Sequence, residues 1–104
     1  IYSISEAIQA GNEYARAQYG VTIDTSMTTA DSSYYPGTAD SVARLTEYGG
    51  QAALNAAVCG NVDATFACLA ALDNADVVSA YARFNCTVRY NAAGDEYIVV
   101  VLYG

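Results

Sequence analysis

The side chains best suited to catalysis in this chain are eleven carboxylates and three cysteines, because the sequence contains no histidine. Histidine is the usual general base, the commonest metal ligand and the usual activator of a serine or cysteine nucleophile. A carboxylate pair such as Glu6 and Glu13, or Asp73 and Asp76, could work as acid and base. Acidic residues near helix starts are, however, expected from capping and from the helix dipole. We therefore predict a domain that is not an enzyme.

Motifs for metals and cofactors are also missing from the sequence. It has no CxxC pair, no Cys/His cluster, no GxGxxG and no GxxxxGK[ST]. Zinc, dinucleotide and P-loop sites depend on those patterns. We predict no metal site and no cofactor.

The three cysteines predict either one disulfide with one thiol left over, or three reduced thiols in the core. Cys59 and Cys68 are the favoured pair, because they are close in sequence and flank the start of a predicted helix. A bridge between Cys59 and Cys86 is the alternative. Cys86 alternates with apolar residues along a predicted strand, which is also typical of a buried thiol.

The composition limits the classes of partner. The 104 residues include four arginines, no lysine and eleven carboxylates, for a net charge of −7. Phosphate contacts need clustered cations, so nucleic acid is not an expected partner. Wholly apolar runs such as residues 97–103 are far shorter than the roughly 20 residues that span a bilayer, so we predict no membrane insertion. The length suits a single domain, residues 1–104.

Several segments have the signals of helices. Ser3 and Glu6 form a predicted capping box that opens a first helix, and Gly20 is placed to stop it. Apolar residues at helical spacing predict another helix from Asp40 to the glycine pair at 49–50. Asn61 is predicted to cap a further helix.

The end of the chain changes to a period of two, which is typical of strands. Residues 84–90 alternate between apolar and polar, whereas residues 97–103 are apolar on both faces, as in a strand covered on both sides. Residues 21–23 predict a short extended piece. We expect an α+β fold, a three-layer α-β-α sandwich with the helices N-terminal and a C-terminal antiparallel β-hairpin.

With that order of elements, the chain resembles the CAP superfamily, which comprises cysteine-rich secretory proteins, antigen 5 and plant pathogenesis-related proteins, and especially its short bacterial members. Asn12 and Arg16 match the asparagine and arginine of the family's opening helix. Residues 50–52, Gly-Gln-Ala, stand where the family has Gly-Glu-Asn, and residues 89–104 resemble its final hairpin. The family's cleft holds two histidines and two glutamates. Here Gln51 stands at a glutamate position and Ala75 near a histidine position, so the resemblance implies a scaffold without the family's metal chemistry.

The resemblance and the tyrosine content together predict a secreted or cell-surface binding domain. Ten of the twelve aromatic residues are tyrosines, which offer apolar area with a polar tip. Tyr34 and Tyr35 in a polar loop, and Tyr48 near Gln51, are the predicted contacts with a small molecule or a protein. The alternative is a structural, pilin-like surface-assembly subunit, which the lysine-free acidic composition also suits. The predicted disulfide, the acidity and the resemblance all favour an extracellular location.

Overall fold

A computed structural model describes the chain at residues 2–28, 39–43, 49–71, 83–94 and 96–103. Two helices and four strands lie in these residues. In chain order they are α1 (Ile4–Tyr19), β1 (Thr22–Ile23), β2 (Ala39–Ala43), α2 (Gln51–Ala71), β3 (Arg83–Asn91) and β4 (Glu96–Tyr103). The mixture of helix and sheet confirms the predicted α+β class.

Helix α1 begins and ends where the sequence predicts. The Ser3 hydroxyl accepts a hydrogen bond from the Glu6 N–H at 3.1 Å, which satisfies one of the free amides of the first turn. Gly20 ends the helix with φ 66°, and its N–H bonds to the carbonyl of Arg16. The other half of the capping box differs from the prediction, because the Ser3 N–H donates to Gln51 Oε1 at 2.6 Å instead of to Glu6.

Helix α2 is one continuous helix of 21 residues. The predicted cap at Asn61 is therefore wrong: Asn61 is buried in the middle of α2, and its carbonyl accepts a hydrogen bond from the Thr65 hydroxyl. Gly60 does not interrupt the helix, since the cost of an interior glycine, about 1 kcal/mol, is smaller than the burial gained by the flanking turns. Gly49 and Gly50 precede α2 with φ 100° and 70°, values that favour glycine.

The strands form one mixed sheet in the order β1-β3-β4-β2. β3 and β4 pair antiparallel as predicted, but they are the centre of a four-stranded sheet and not an isolated hairpin. β1 adds in parallel to β3, and β2 adds antiparallel to β4. The predicted helix from Asp40 is wrong in its first residues, because Ala39–Ala43 pairs with the open edge of β4. In a segment of five residues, the helical spacing of apolar side chains is a weak signal, and backbone hydrogen bonds to the neighbouring strand outweigh it.

The hydrophobic core lies between the two helices and one face of the sheet. That face carries alternate residues of β3 and β4, and α1 crosses α2 where Gly11 lies against Val58. A row of stacked rings runs from the exposed Tyr19 into this core, with centroids 3.8 Å apart for Tyr19 and Phe66 and 4.8 Å apart for Phe66 and Phe84. The described residues thus place one helical layer on one face of the sheet.

The described part of the chain contains one helix, α2, that is long and apolar enough to cross a membrane by length and composition. Its apolar side packs on α1 and the sheet, through residues such as Leu54, Val58, Val62 and Leu69. The core helix of a soluble protein has the same properties, and the absence of membrane insertion stays a prediction.

Candidate ligand-binding site

The face of the sheet opposite the core, here called the second face, carries a side-chain column on each of its two central strands, β3 and β4. Asn85, Thr87 and Arg89 form a polar column along β3, and Leu102, Val100 and Ile98 form an apolar column along β4. The strand register pairs them directly: Asn85 with Leu102, Thr87 with Val100, and Arg89 with Ile98. Directly opposite residues in an antiparallel pair lie about 4.5 to 5.5 Å apart at their Cβ atoms, so the columns form one continuous surface.

A cavity of 580 Å³ lies over the second face. Both columns contribute to its lining, and the remaining walls include Ile8 of α1 together with Thr25 and Thr28 from the segment after β1. Ile98 and Val100 are only half-buried, whereas Leu102 is buried. Among the described residues, this cavity therefore has an apolar floor open to solvent and a small number of polar groups around it.

A buried hydrogen-bonded chain fixes the wall of the cavity against β3. Asn12 Oδ1 accepts from the Cys86 N–H at 2.8 Å, and Asn12 Nδ2 donates to Asn85 Oδ1 at 2.9 Å. Asn85 Nδ2 in turn donates to the carbonyl of Met27 at 2.7 Å. Strand β1 ends at Ile23, so its backbone does not pair with the Cys86 N–H of β3. The Asn12 side chain takes the place of a neighbouring strand at this point. These hydrogen bonds hold α1, β3 and the segment after β1 in a fixed arrangement.

Arg89 is the cation of this site. It is exposed at the rim, and within the described part of the chain no carboxylate lies within ion-pair distance of it. The other two arginines of the described elements are paired: Arg16 with Glu13, and Arg83 with Asp24 at 2.8 Å. A hydrogen bond and the charge of Arg16 lower the pKa of Glu13, and hydrogen bonds from Ser26 are the main cause of the lowered pKa of Asp24.

A second, shallower groove of 420 Å³ lies next to the cavity along the outer side of α1. Ile8 and Thr25 line both spaces. The groove also contacts the exposed pair of Glu13 and Arg16. Its charges are already matched, which leaves the cavity as the better candidate site.

The predicted tyrosine site is described only at Gln51. Tyr34, Tyr35 and Tyr48 lie outside the described residues. The Gln51 side chain is engaged in joining the two helices: it accepts from the Ser3 N–H and donates to the Ser3 carbonyl at 3.0 Å and to Asn55 Oδ1 at 3.0 Å. In these contacts the Gln51 side chain joins the start of α1 to α2. A ligand contact at Gln51 stays a prediction.

The predicted disulfide between Cys59 and Cys68 is wrong, because all three cysteines are free thiols. Cys59 and Cys68 lie nine residues apart on the continuous helix α2, a rise of about 13 Å, whereas bridged Cα atoms are at most about 7 Å apart. The alternative partner Cys86 is likewise unbridged and buried in the core. Burial raises the pKa of Cys86 to about 12 and, together with the charge of Asp63, raises that of Cys59.

The carboxylates considered for catalysis do not converge. Glu13 is paired with Arg16, and Glu6 is placed a full two turns away, where it accepts from Asn55. Asp73 and Asp76 lie outside the described residues. Within residues 2–28, 49–71, 83–94 and 96–103, no three potential metal ligands cluster.

Asp63 accepts hydrogen bonds from two tyrosines across the helix pair. Tyr14 donates at 2.8 Å and Tyr19 at 2.6 Å to its carboxylate. Those hydrogen bonds raise the pKa of both phenols, that of Tyr19 to about 12. Such phenols stay protonated at neutral pH, so both keep donating to Asp63 and tie α1 to α2.

No family model, curated protein or solved structure matches the chain. The candidate site therefore rests on geometry. The sequence alone did not point to this site, because an alternation such as that of residues 84–90 is equally typical of a strand whose polar face lies in solvent. The sequence did contain one signal for this site. Residues 84–90 alternate between polar and apolar, and residues 97–103 are apolar on both faces, so pairing the two strands places a polar column beside an apolar one.

Proposed function

We propose that this chain is a non-catalytic binding domain that takes a small molecule in the cavity over the second face of the sheet. The observation that supports this most directly is the cavity itself: 580 Å³, with Ile98, Val100 and Leu102 as an apolar floor and a few polar groups at its edges. Ligand sites are typically concave and mostly apolar, with volumes of about 300 to 1,000 Å³ and a few placed polar groups.

The side chains around the cavity support binding without turnover. Both polar ends of Asn85 are used in structural hydrogen bonds, and the Thr87 hydroxyl donates to the Val100 carbonyl at 2.9 Å. The Arg89 guanidinium has N–H donors and no acceptor, so it is suited to holding an anionic group. Cys86 contributes to the lining, but its raised pKa keeps it a thiol, which is the unreactive form.

The scaffold and its location are part of the same proposal. A three-layer α-β-α arrangement of CAP type, secreted or at the cell surface, is consistent with the resemblance of residues 5–27, 50–52 and 89–104 and with the acidic composition. The free cysteines remove one of the reasons given for an extracellular location. Tyr34, Tyr35 and Tyr48 remain proposed as further ligand contacts.

The test uses Nile red, a neutral dye whose fluorescence rises in apolar surroundings, titrated into the full chain. We expect saturable binding that Val100→Trp abolishes, because Val100 is at the centre of the floor and the larger ring fills the space. Ala67→Trp, at an exposed position of α2, is the matched control and should bind the dye as the parent does. Saturable binding that both variants retain, or no binding by the parent, would contradict the proposal.

A further inference from the structure

We propose that the ligand of this cavity is an elongated amphipathic carboxylate: an anionic group at Arg89, an apolar body over Ile98, Val100 and Leu102, and a polar group at the far end beside Thr25 and Thr28. This inference rests on the proposed function and adds the chemical class of the ligand. Three independent features of the cavity support it: an arginine with no ion-pair partner among the described residues, the length of the apolar floor, and two threonine hydroxyls that have no hydrogen-bond partner in the same residues.

The anionic end follows from the distribution of charge. Glu13 and Asp24 neutralise the other two described arginines, whereas Arg89 faces the cavity without a carboxylate partner in the described part of the chain. A guanidinium offers a planar, bidentate fork that matches a carboxylate. The net charge of the protein is −7, so an arginine without an ion-pair partner in the described residues is a local attraction for an anion at the rim of this apolar cavity.

The length of the ligand follows from the strand. Arg89 and Asn85 are four residues apart on the same face of β3, a distance of about 13 to 14 Å. Asn85 marks the far end, because its amide bonds to the Met27 carbonyl, and Thr25 and Thr28 line the cavity from the same segment of chain. The ligand therefore spans most of that distance in an extended form.

The polar far end follows from the two threonines. Thr25 and Thr28 are exposed and line the cavity, and neither hydroxyl has a hydrogen-bond partner among the described residues. The third hydroxyl of the lining, that of Thr87, is already bonded to the Val100 carbonyl. A hydroxyl or amide on the ligand would form a hydrogen bond with the hydroxyl of Thr25 or Thr28. A methyl end could not, and those hydroxyls would then bond to water alone.

The test is displacement of Nile red by three series of probes: n-alkanols, n-alkanoates and ω-hydroxyalkanoates of about six to twelve carbons, a range that brackets the span of the floor. Affinity should rise about fourfold for each added methylene, until the chain reaches from Arg89 to the threonines. At equal length, ω-hydroxyalkanoates should bind most tightly. Alkanols should bind least tightly, by roughly three- to tenfold relative to alkanoates.

Two variants separate the ends of the ligand. Arg89→Gln should weaken both carboxylate series by roughly three- to tenfold and leave the alkanols unchanged. Arg16→Gln removes the same charge from α1 and should change neither. The double variant Thr25→Val/Thr28→Val should weaken only the ω-hydroxy series, by roughly two- to tenfold.

The outcomes distinguish this inference from the proposed function. Alkanols that displace the dye as well as alkanoates do, with no effect of Arg89→Gln, would overturn the carboxylate class and leave a neutral-ligand site in place. A loss of alkanoate binding in Arg16→Gln instead would move the anion site to the groove on α1. Probes of all three series that leave the bound dye in place, while Val100→Trp removes it, would overturn the ligand class alone. Failure of Nile red itself to bind would contradict the proposed function.

Discussion

The replacement of Asn12 by alanine tests whether buried side-chain hydrogen bonds hold α1 on the edge of β3. Asn12 is 8% exposed and Asn85 is 4% exposed. The change leaves two buried groups without their partners, the Cys86 N–H and Asn85 Oδ1. An orphaned buried polar group costs about 1 to 3 kcal/mol, so we expect the free energy of unfolding to fall by about 4 kcal/mol. That is a large part of the roughly 5 to 15 kcal/mol that stabilises a domain.

Urea denaturation followed by circular dichroism measures this loss, with Gln18→Ala on the exposed side of α1 as the control. The single variant Asn85→Ala and the double variant complete a mutant cycle. We expect a coupling of about 1 kcal/mol or more between Asn12 and Asn85, because each loses a partner when the other is removed. A loss below about 1 kcal/mol for Asn12→Ala, equal to that of the control, would refute the reasoning.

Three further predictions concern the helix pair and the thiols. Gly11→Ala should destabilise the fold by about 1 to 3 kcal/mol in urea denaturation, since its new methyl would overlap the Val58 side chain and lie 2.9 Å from the Cys86 sulfur; an increase in stability would contradict this close packing. Exposed Cys68 should react with a disulfide reagent at neutral pH while buried Cys86 stays unmodified until the protein unfolds; equal rates would show that Cys86 is accessible. The Tyr19 phenol, with its pKa raised to about 12 by Asp63, should stabilise the fold fully below about pH 10 and lose that contribution between about pH 10 and 12. Asp63→Asn should flatten that part of the thermal-stability profile, and a profile identical to the parent's would contradict the assignment.

The parts of the fold that could be predicted from the sequence are those set by local chemistry. Ser3 caps α1 and Gly20 ends it through interactions within a few residues, and both are where the pattern places them. The pairing of β3 with β4 likewise follows from their alternation and from the short turn between them. These elements need little information from distant residues.

The parts that could not be predicted depend on contacts between distant residues. Strand β2 was predicted as the start of a helix, because the apolar residues from Val42 onwards have helical spacing in the sequence. It is a strand because it pairs with the edge of β4. Cys59 and Cys68 look like a disulfide pair only when Asn61 is taken as a helix start. The candidate site was not predicted because it depends on the register between β3 and β4, which places Arg89 opposite Ile98. The sequence of either strand alone does not determine that register.

The bond between the Ser3 amide and Gln51 has a consequence for how the chain folds. In a capping box both bonds are local, so a helix can complete its first turn while the rest of the chain is unfolded. Here the second bond comes from a side chain 48 positions away. The first turn of α1 is therefore complete only after α2 has docked, and the two helix starts should fray and re-form together in hydrogen exchange. A peptide containing α1 alone would lack this bond, and its 16 residues barely exceed the roughly 12 to 15 below which isolated helices are marginal in water.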